Sequence, residues 1–363
     1  MLPGTLIIRS DATAAIGHGH VMRCLALAQA WQDRGGECTF VMSNPTPEIK
    51  QRLCGEGFTV IPLTVMPGCS EDVVQLAELA RVRDASWVVV DGYQFRAEYH
   101  RALKTVGVRL LIIDDSGHAG SYCSDLVLDQ NAGTRESLYD RREPCTQLLL
   151  GSRYAMLRRE FRRWREWKRE IPPIARKVMV TMGGSDPGNL TEHVIHSLTA
   201  SLVEHLEITV VVGTGNPRRD SLRFAATKLG GKFRLLENAT NMPELMSWAD
   251  IAVIAGGGTL WEALYMMCPV ISFARDPVQS QILSTLDDQG IIKFVGSAQD
   301  FDSNRFAHAL SGLAFSSAWR GEMAALERGA IDGLGTERVC ELMMNRERLG
   351  SELEDGARVV ARS

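Results

Sequence analysis

Short runs of apolar, β-branched residues alternate with longer amphipathic stretches along almost the whole chain. The runs at 6–9, 38–42, 58–63, 87–91, 110–114, 126–128 and 148–150 read as strands. Those at 177–182, 208–212, 233–236, 251–255 and 270–273 restart the same grammar in the second half. After the first run, Val21, Cys24, Leu25, Ala28 and Trp31 share one helical face, and the pattern stops at Gly35–Gly36. Such alternation predicts parallel sheets with helices on both sides.

Between the halves lies a stretch, 154–170, dense in Arg and Trp, followed by Ile171–Pro172–Pro173–Ile174. The proline pair cannot continue a helix and reads as an interdomain linker. Within 158–169 the arginines are interleaved with Glu160 and Glu166, and Glu170 follows, which predicts a salt-bridged helix rather than a nucleic-acid stripe. The expected fold class is α/β, with two Rossmann-like domains facing each other across a cleft. Residues 1–170 form the first domain, 174–320 the second, and 321–363 a docking helical segment whose tail turns polar.

Composition narrows the function classes. The chain has 363 residues, 45% hydrophobic and 23% charged, enough for two ordinary cores. A net charge of −4 gives no reason to expect nucleic acid or an anionic membrane as partner. No apolar run approaches the ~20 residues needed to span a bilayer. The opening Met1–Leu2–Pro3–Gly4 lacks a charged n-region, so no signal peptide is expected. The eight cysteines form no C-x-x-C pair, which predicts reduced thiols in a cytoplasmic enzyme, without disulfides or zinc. His193 and His196 lie three apart on a predicted helix but lack a third ligand at a recognisable spacing. No metal, cofactor or partner protein is implied.

The chemistry concentrates at strand ends. Arg9–Ser10–Asp11 leads through Gly17–His18–Gly19–His20 to Arg23, a strand–loop–helix unit carrying groups able to move protons near neutral pH. His20 reads as a general base, or as the capping histidine of a glycine turn. His18 reads as a solvated neighbour. Asp11 either orders the loop or contacts substrate and orients a histidine. In the second half, Gly183–Gly184–Ser185–Asp186–Pro187–Gly188–Asn189 follows a strand and opens a helix, with Glu192 placed to complete a cap with Asn189. Gly213 and the run Gly256–Gly257–Gly258–Thr259 also follow strands, as expected where backbone approaches a phosphate. Thr259 and Glu262 fit a capping box, and Glu262 alternatively accepts hydrogen bonds from ribose hydroxyls.

Together these residues resemble the nucleotide-sugar hydrolases of pseudaminic acid biosynthesis and their relatives in spore-coat polysaccharide synthesis. The opening R-x-D-x-x-x-x-I-G-x-G-H-x-x-R is met by Arg9, Asp11, Ile16, Gly17, Gly19, His20 and Arg23. Ile113–Asp114–Asp115, Asp129–Gln130–Asn131, the segment from Gly151 to Phe161, Met182 to Asn189 and Ala249 to Glu262 complete the pattern across roughly residues 5–295. The resemblance implies a glycosyltransferase-type B fold and metal-independent hydrolysis of UDP-2,4-diacetamido-2,4,6-trideoxy-β-L-altropyranose by water attacking the anomeric carbon. It makes His20 the catalytic residue, assisted by Asp11. Substrate contacts are expected from Arg9, Gly17, Gly19, Arg23, Asp91, Tyr93, Asp115, Asn131 and Tyr154. The uridine diphosphate is expected on Gly183, Gly184, Asp186, Asn189, Gly213, Gly256, Gly257, Thr259, Glu262 and Gln279. One departure stands out: an N-Q pair common in the family is replaced by Asp276–Pro277–Val278–Gln279, of which only Gln279 matches. A glycosyltransferase using a UDP-sugar donor and a non-catalytic nucleotide-sugar binder are the two alternatives.

Overall fold

The computed structural model describes residues 3–12, 17–201, 205–213, 215–228 and 233–360. Its first sheet holds β1 (Thr5–Ser10), β2 (Glu37–Ser43), β3 (Thr59–Leu63), β4 (Ala85–Asp91), β5 (Arg109–Ile113), β6 (Leu126–Asp129) and β7 (Gln147–Leu150). Their order is β3-β2-β1-β4-β5-β6-β7. The second sheet holds β8 (Lys177–Thr181), β9 (Glu207–Val212), β10 (Phe233–Glu237), β11 (Ile251–Ala255), β12 (Val270–Ala274) and β13 (Lys293–Ser297), in the order β10-β9-β8-β11-β12-β13. Neighbouring strands pair in parallel in both sheets.

Every predicted strand is present. The unpredicted one, β13, is a half-buried edge strand containing Gly296, too polar and too short to show a period. Pro62 lies in β3, which pairs only with β2, so its missing N–H removes no bond from an inner ladder. Inner strands such as β1 read as continuous apolar runs because helices cover both faces, leaving Leu6, Ile7 and Ile8 fully buried.

Helices α1 (Gly19–Gln32), α2 (Pro47–Gly55), α3 (Ser70–Val82) and α4 (Ala97–Thr105) cover the first sheet. The second carries α5 (Leu190–Ser201), α6 (Arg219–Lys228), α7 (Met242–Trp248), α8 (Gly258–Tyr265), α9 (Pro277–Asp288), α10 (Ser303–Phe315) and α11 (Ser317–Ala330). Helix α12 (Gly335–Val360) crosses back and inserts Val339, Cys340 and Met343 into the core that holds Cys24, Leu25 and Trp31 of α1. Each such buried apolar side chain contributes about 1.5–3 kcal/mol. With the sheet on one side and α12 on another, α1 is apolar nearly all round. No helix among the described residues is long and apolar enough to cross a membrane.

The arginine-rich stretch is not the expected α-helix. It forms two 3-10 turns, Ser152–Tyr154 and Arg159–Trp164, and, apart from the Arg158–Glu160 pair, its arginines find partners elsewhere. Arg159 reaches Asp33 at 2.7 Å, Arg162 pairs with the same carboxylate, and Arg163 pairs with Glu244. Arg169 donates to the carbonyls of Met246 and Ala249, at the end of α7. The charge pattern that mimicked i,i+4 pairing is a strap joining the two domains.

In each sheet the winding reverses between the first and fourth strands, β1 and β4 or β8 and β11. The carboxyl ends of strands at such a switch point border a crevice, the usual ligand position in this architecture.

Candidate active site

The first-domain side of the crevice is a chain of charged side chains with short contacts. His20, in the first turn of α1, places Nδ1 2.6 Å from Asp91 Oδ1 at the end of β4. Arg23 Nε donates to Asp91 Oδ2 at 2.6 Å, and its Nη1 reaches both Asp115 oxygens at 2.8 and 2.6 Å. Asn131 donates from Nδ2 to Asp115 at 2.9 Å and to Asp129 at 2.8 Å. The spacing of His20 and Arg23, three apart on α1, puts both on the face that meets β4.

Asp91 is fully buried. Burial opposes its charge, but the Arg23 guanidinium and His20 outweigh it and hold the carboxyl well below the usual range. Arg23 Nη2 also approaches His20 Nδ1, at 3.1 Å, yet it already donates to Asp91 Oδ1 at 2.7 Å. Nδ1 is therefore the protonated nitrogen, donating to Asp91, and the lone pair of a neutral ring sits on Nε2. Tyr93 stands edge-on to His20, ring centroids 5.2 Å apart, and edge-on to His118 at 5.2 Å. Burial pushes the Tyr93 hydroxyl pKa up, and Asp115 adds to the rise.

Asp11 is not the partner of His20. Its Oδ1 accepts from Arg9 Nη1 and from the Ser43 amide, both at 2.6 Å, and its Oδ2 from Gln94 at 3.0 Å. Arg9 is fully buried, binds Asp72 through Nε and Nη2 at 3.0 and 2.9 Å, and lies over the Phe95 ring. With every nitrogen engaged it stabilises the ends of β1 and β2 and offers no donor to a substrate. Tyr154 packs on the first-domain core beside α12, apart from the His20 network. Ile16 lies outside the described residues.

The second-domain side is built from backbone. The Gly213 and Gly184 main chains approach so closely that a β-carbon on Gly213 would collide with Gly184. His18 reaches across the crevice, and its ring lies against Gly184 and Gly215. Burial lowers its pKa, with the Glu48 charge opposing. Ser185 faces Gly17 and has a buried hydroxyl with no partner.

Both predicted caps differ from the structure. Helix α5 is capped by Asp186, whose oxygens accept from the Leu190 and Thr191 amides at 2.9 Å each, while the Asn189 side chain donates to Glu192 instead of capping. Helix α8 has Gly257 at its N-cap position and so no side-chain cap. Its Glu262 is instead buried against Arg158, which donates from Nε and Nη2 at 2.8 Å. Burial pushes the Glu262 carboxyl up, and Arg158 pulls it back. Thr259 occupies the first turn of α8, and Gln279 accepts from the Arg275 amide at 3.1 Å.

Two residues here, Arg158 and Arg275, escaped the sequence reading as site residues, and a third, Asp91, has a different role. Asp91 was expected only as a substrate contact, although an acid closing the run Val88–Val89–Val90 is the strand-end signal that marked Asp11. Arg158 sat inside a matched motif whose partner no spacing discloses. Arg275 directly follows β12 and carries no local pattern.

Residues 178–282 match the glycosyltransferase family 28 C-terminal domain. An uncharacterized protein of Methanocaldococcus jannaschii is 24% identical over 282 residues, 76% of this chain but only 57% of that protein. The UDP-2,4-diacetamido-2,4,6-trideoxy-beta-L-altropyranose hydrolase of Campylobacter jejuni is 26% identical over 72% of this chain and 88% of its own. The spore coat polysaccharide biosynthesis protein SpsG of Bacillus subtilis is 23% identical over 93% of this chain and 97% of its own. Among solved structures, Acinetobacter baumannii MurG superposes with a TM-score of 0.63 at 13% identity, covering 94% of this chain and 99% of that one. The spinosyn rhamnosyltransferase SpnG gives 0.60 at 16%, covering 94% and 100%. The chain is thus a distant relative of the altropyranose hydrolase and of SpsG, built on the two-domain glycosyltransferase-type B fold.

Proposed function

We propose that this protein is a UDP-sugar-processing enzyme, and specifically a hydrolase that releases UDP and free sugar from UDP-2,4-diacetamido-2,4,6-trideoxy-β-L-altropyranose. The observation that carries this reading is the 2.6 Å contact between His20 Nδ1 and Asp91, which leaves Nε2 as a base in a crevice faced by glycine loops. Water forms the new bond to C1 as the bond from C1 to the diphosphate oxygen breaks. The bonding pair leaves with UDP, and Nε2 takes the water proton. Asp91 stabilises the imidazolium that results, as a buried carboxylate does in other histidine-based sites. Backbone N–H groups at the second-domain loops stabilise the departing charge. Relatives that carry the hydrolase and spore-coat names support the substrate class.

The transferase reading draws on the family 28 match over residues 178–282. Incubation with a panel of UDP-sugars in heavy-oxygen water separates the two. Hydrolysis at C1 yields free sugar carrying the label, unlabelled UDP and no need of an acceptor. Turnover only when an acceptor is supplied establishes the transferase, and label in the UDP overturns attack at carbon.

A further inference from the structure

Arg275, at the end of β12, stands between the two glycine loops of the second domain. A β-carbon on Gly183 would lie 3.9 Å from its Nη1, and one on Gly257 would lie 3.7 Å from its Nη2. The guanidinium therefore bridges the loop after β8 and the loop after β11. Gly257 takes φ +143°, a conformation that side chains rarely adopt, so this narrow space is lined by bare backbone.

The guanidinium is nearly unpartnered. Among the described residues its side chain makes one long contact, 3.4 Å from Nη2 to the Gly256 carbonyl, and its Nε is buried with no partner. Among the described residues no carboxylate pairs with it. Arg275 is half-buried, and the buried arginines Arg9, Arg23 and Arg158 are by contrast each paired with acids. A buried donor without an acceptor costs free energy unless a ligand completes it. Its own backbone is held in place, because Gln279 accepts from the Arg275 amide and Asp276 caps α9 by accepting from the Gln279 amide at 2.8 Å. The altered Asp276–Gln279 segment thus braces the arginine.

We propose that Arg275 is the cation that grips the diphosphate of the nucleotide, pairing with oxygens of the phosphate that carries the departing charge. This inference rests on the UDP-sugar reading and adds to it a residue in direct contact with the leaving group. A planar guanidinium matches phosphate oxygens through two parallel N–H bonds, which a helix terminus alone does not. As the C1–O bond breaks, negative charge grows on the bridging oxygen, and a fixed cation beside it stabilises that change.

Calorimetric titration of UDP, UMP and uridine into wild type, Arg275→Gln and Arg275→Lys tests the assignment. Arg275→Gln is expected to weaken UDP about 10–100-fold. Uridine should bind as before, UMP should lose less than UDP, and Arg275→Lys should recover part of the loss. The melting temperature should not move, since Arg275 makes so few bonds in the protein. UDP bound equally by wild type and Arg275→Gln overturns the assignment alone, as does an equal loss for UDP and uridine. A wild type without affinity for UDP overturns the nucleotide reading and the assignment with it.

Discussion

The two walls of the crevice end equivalent strands of equivalent sheets, yet they are made of different material. The first wall, at β1, β4 and β5, is a chain of polar and charged side chains, His20–Asp91–Arg23–Asp115–Asn131, tied to one another by short contacts that leave His20 Nε2 free. The second, at β8, β9, β11 and β12, is bare glycine backbone with one nearly unpartnered arginine. A paired network holds a proton-transfer group at a fixed tautomer and angle. A bare wall leaves donors for something that arrives. The same topology thus carries a machine for moving a proton on one side and a cradle for an anion on the other, and the two should fail differently when altered.

The sharpest break is expected from His20→Ala. It removes the base while Asp91 and Arg23 remain paired with each other, so the fold and UDP affinity persist while turnover falls about 10²–10⁴-fold. Steady-state kinetics beside a UDP titration checks this, and near-normal turnover in a folded sample would remove His20 from the mechanism. Asp91→Asn comes next. It leaves His20 without its anionic partner and Arg23 with only Asp115, so turnover should drop roughly 10²-fold and stability by about 3 kcal/mol. Normal kinetics with lowered stability would make Asp91 a strut only.

This asymmetry decides what was legible in the chain. The fold was legible almost throughout because strands buried on both faces are unbroken apolar runs, and β13 was missed because an edge strand needs no such run. His20, Arg23, Asp115 and Asn131 were legible because motif and strand end coincide, and the structure brings them together. Arg9 and Asp11 stand in the same motif, but sequence order does not disclose that Asp72, 63 residues away, absorbs the arginine. The glycines advertised a bare wall without saying which cation faces it. Cap assignments failed where a longer-range partner won: Arg158 claimed Glu262, and Asp186 rather than Asn189 took the amides of α5.

The first wall should also be the acid-sensitive one. Behind it His100 is buried with neither ring nitrogen bonded, facing Asp114, His118 and Arg101. Burial pulls its pKa from 6.5 to about 4, with His118 adding to the fall and Asp114 opposing it. The unfolded chain takes up a proton at the ordinary value, so between pH 6.5 and 4 it binds more protons than the folded one. Stability is therefore full above pH 6.5 and declines as the pH falls toward 4, by roughly 3 kcal/mol from this group. His100→Phe preserves the shape and removes the titration. Denaturation midpoints at pH 7.5 and 4.5 should differ less in the variant, and an equal drop in both proteins would place the acid sensitivity elsewhere.

Glu262 tests whether the second wall is as bare as it looks, because its carboxylate is held four residues after the end of the glycine run, buried against Arg158. It is tied to Arg158 of the strap, which also pairs with Glu160 at 2.8 Å. If the carboxylate also accepts the ribose hydroxyls, Glu262→Gln should weaken UDP about tenfold, since a neutral amide makes the weaker bond. The amide oxygen still accepts from Arg158, so the loss of stability should stay near 1 kcal/mol. Arg158→Gln removes the strap contact and keeps the carboxylate. It should cost more stability, because it abandons two acids, while UDP affinity stays within about twofold. Opposite orders for the two variants, affinity against melting temperature, assign Glu262 to the nucleotide. Equal losses of affinity in both would mean that the strap alone sets the first turn of α8, and the second wall would then be backbone and Arg275 with no carboxylate in contact with the ligand.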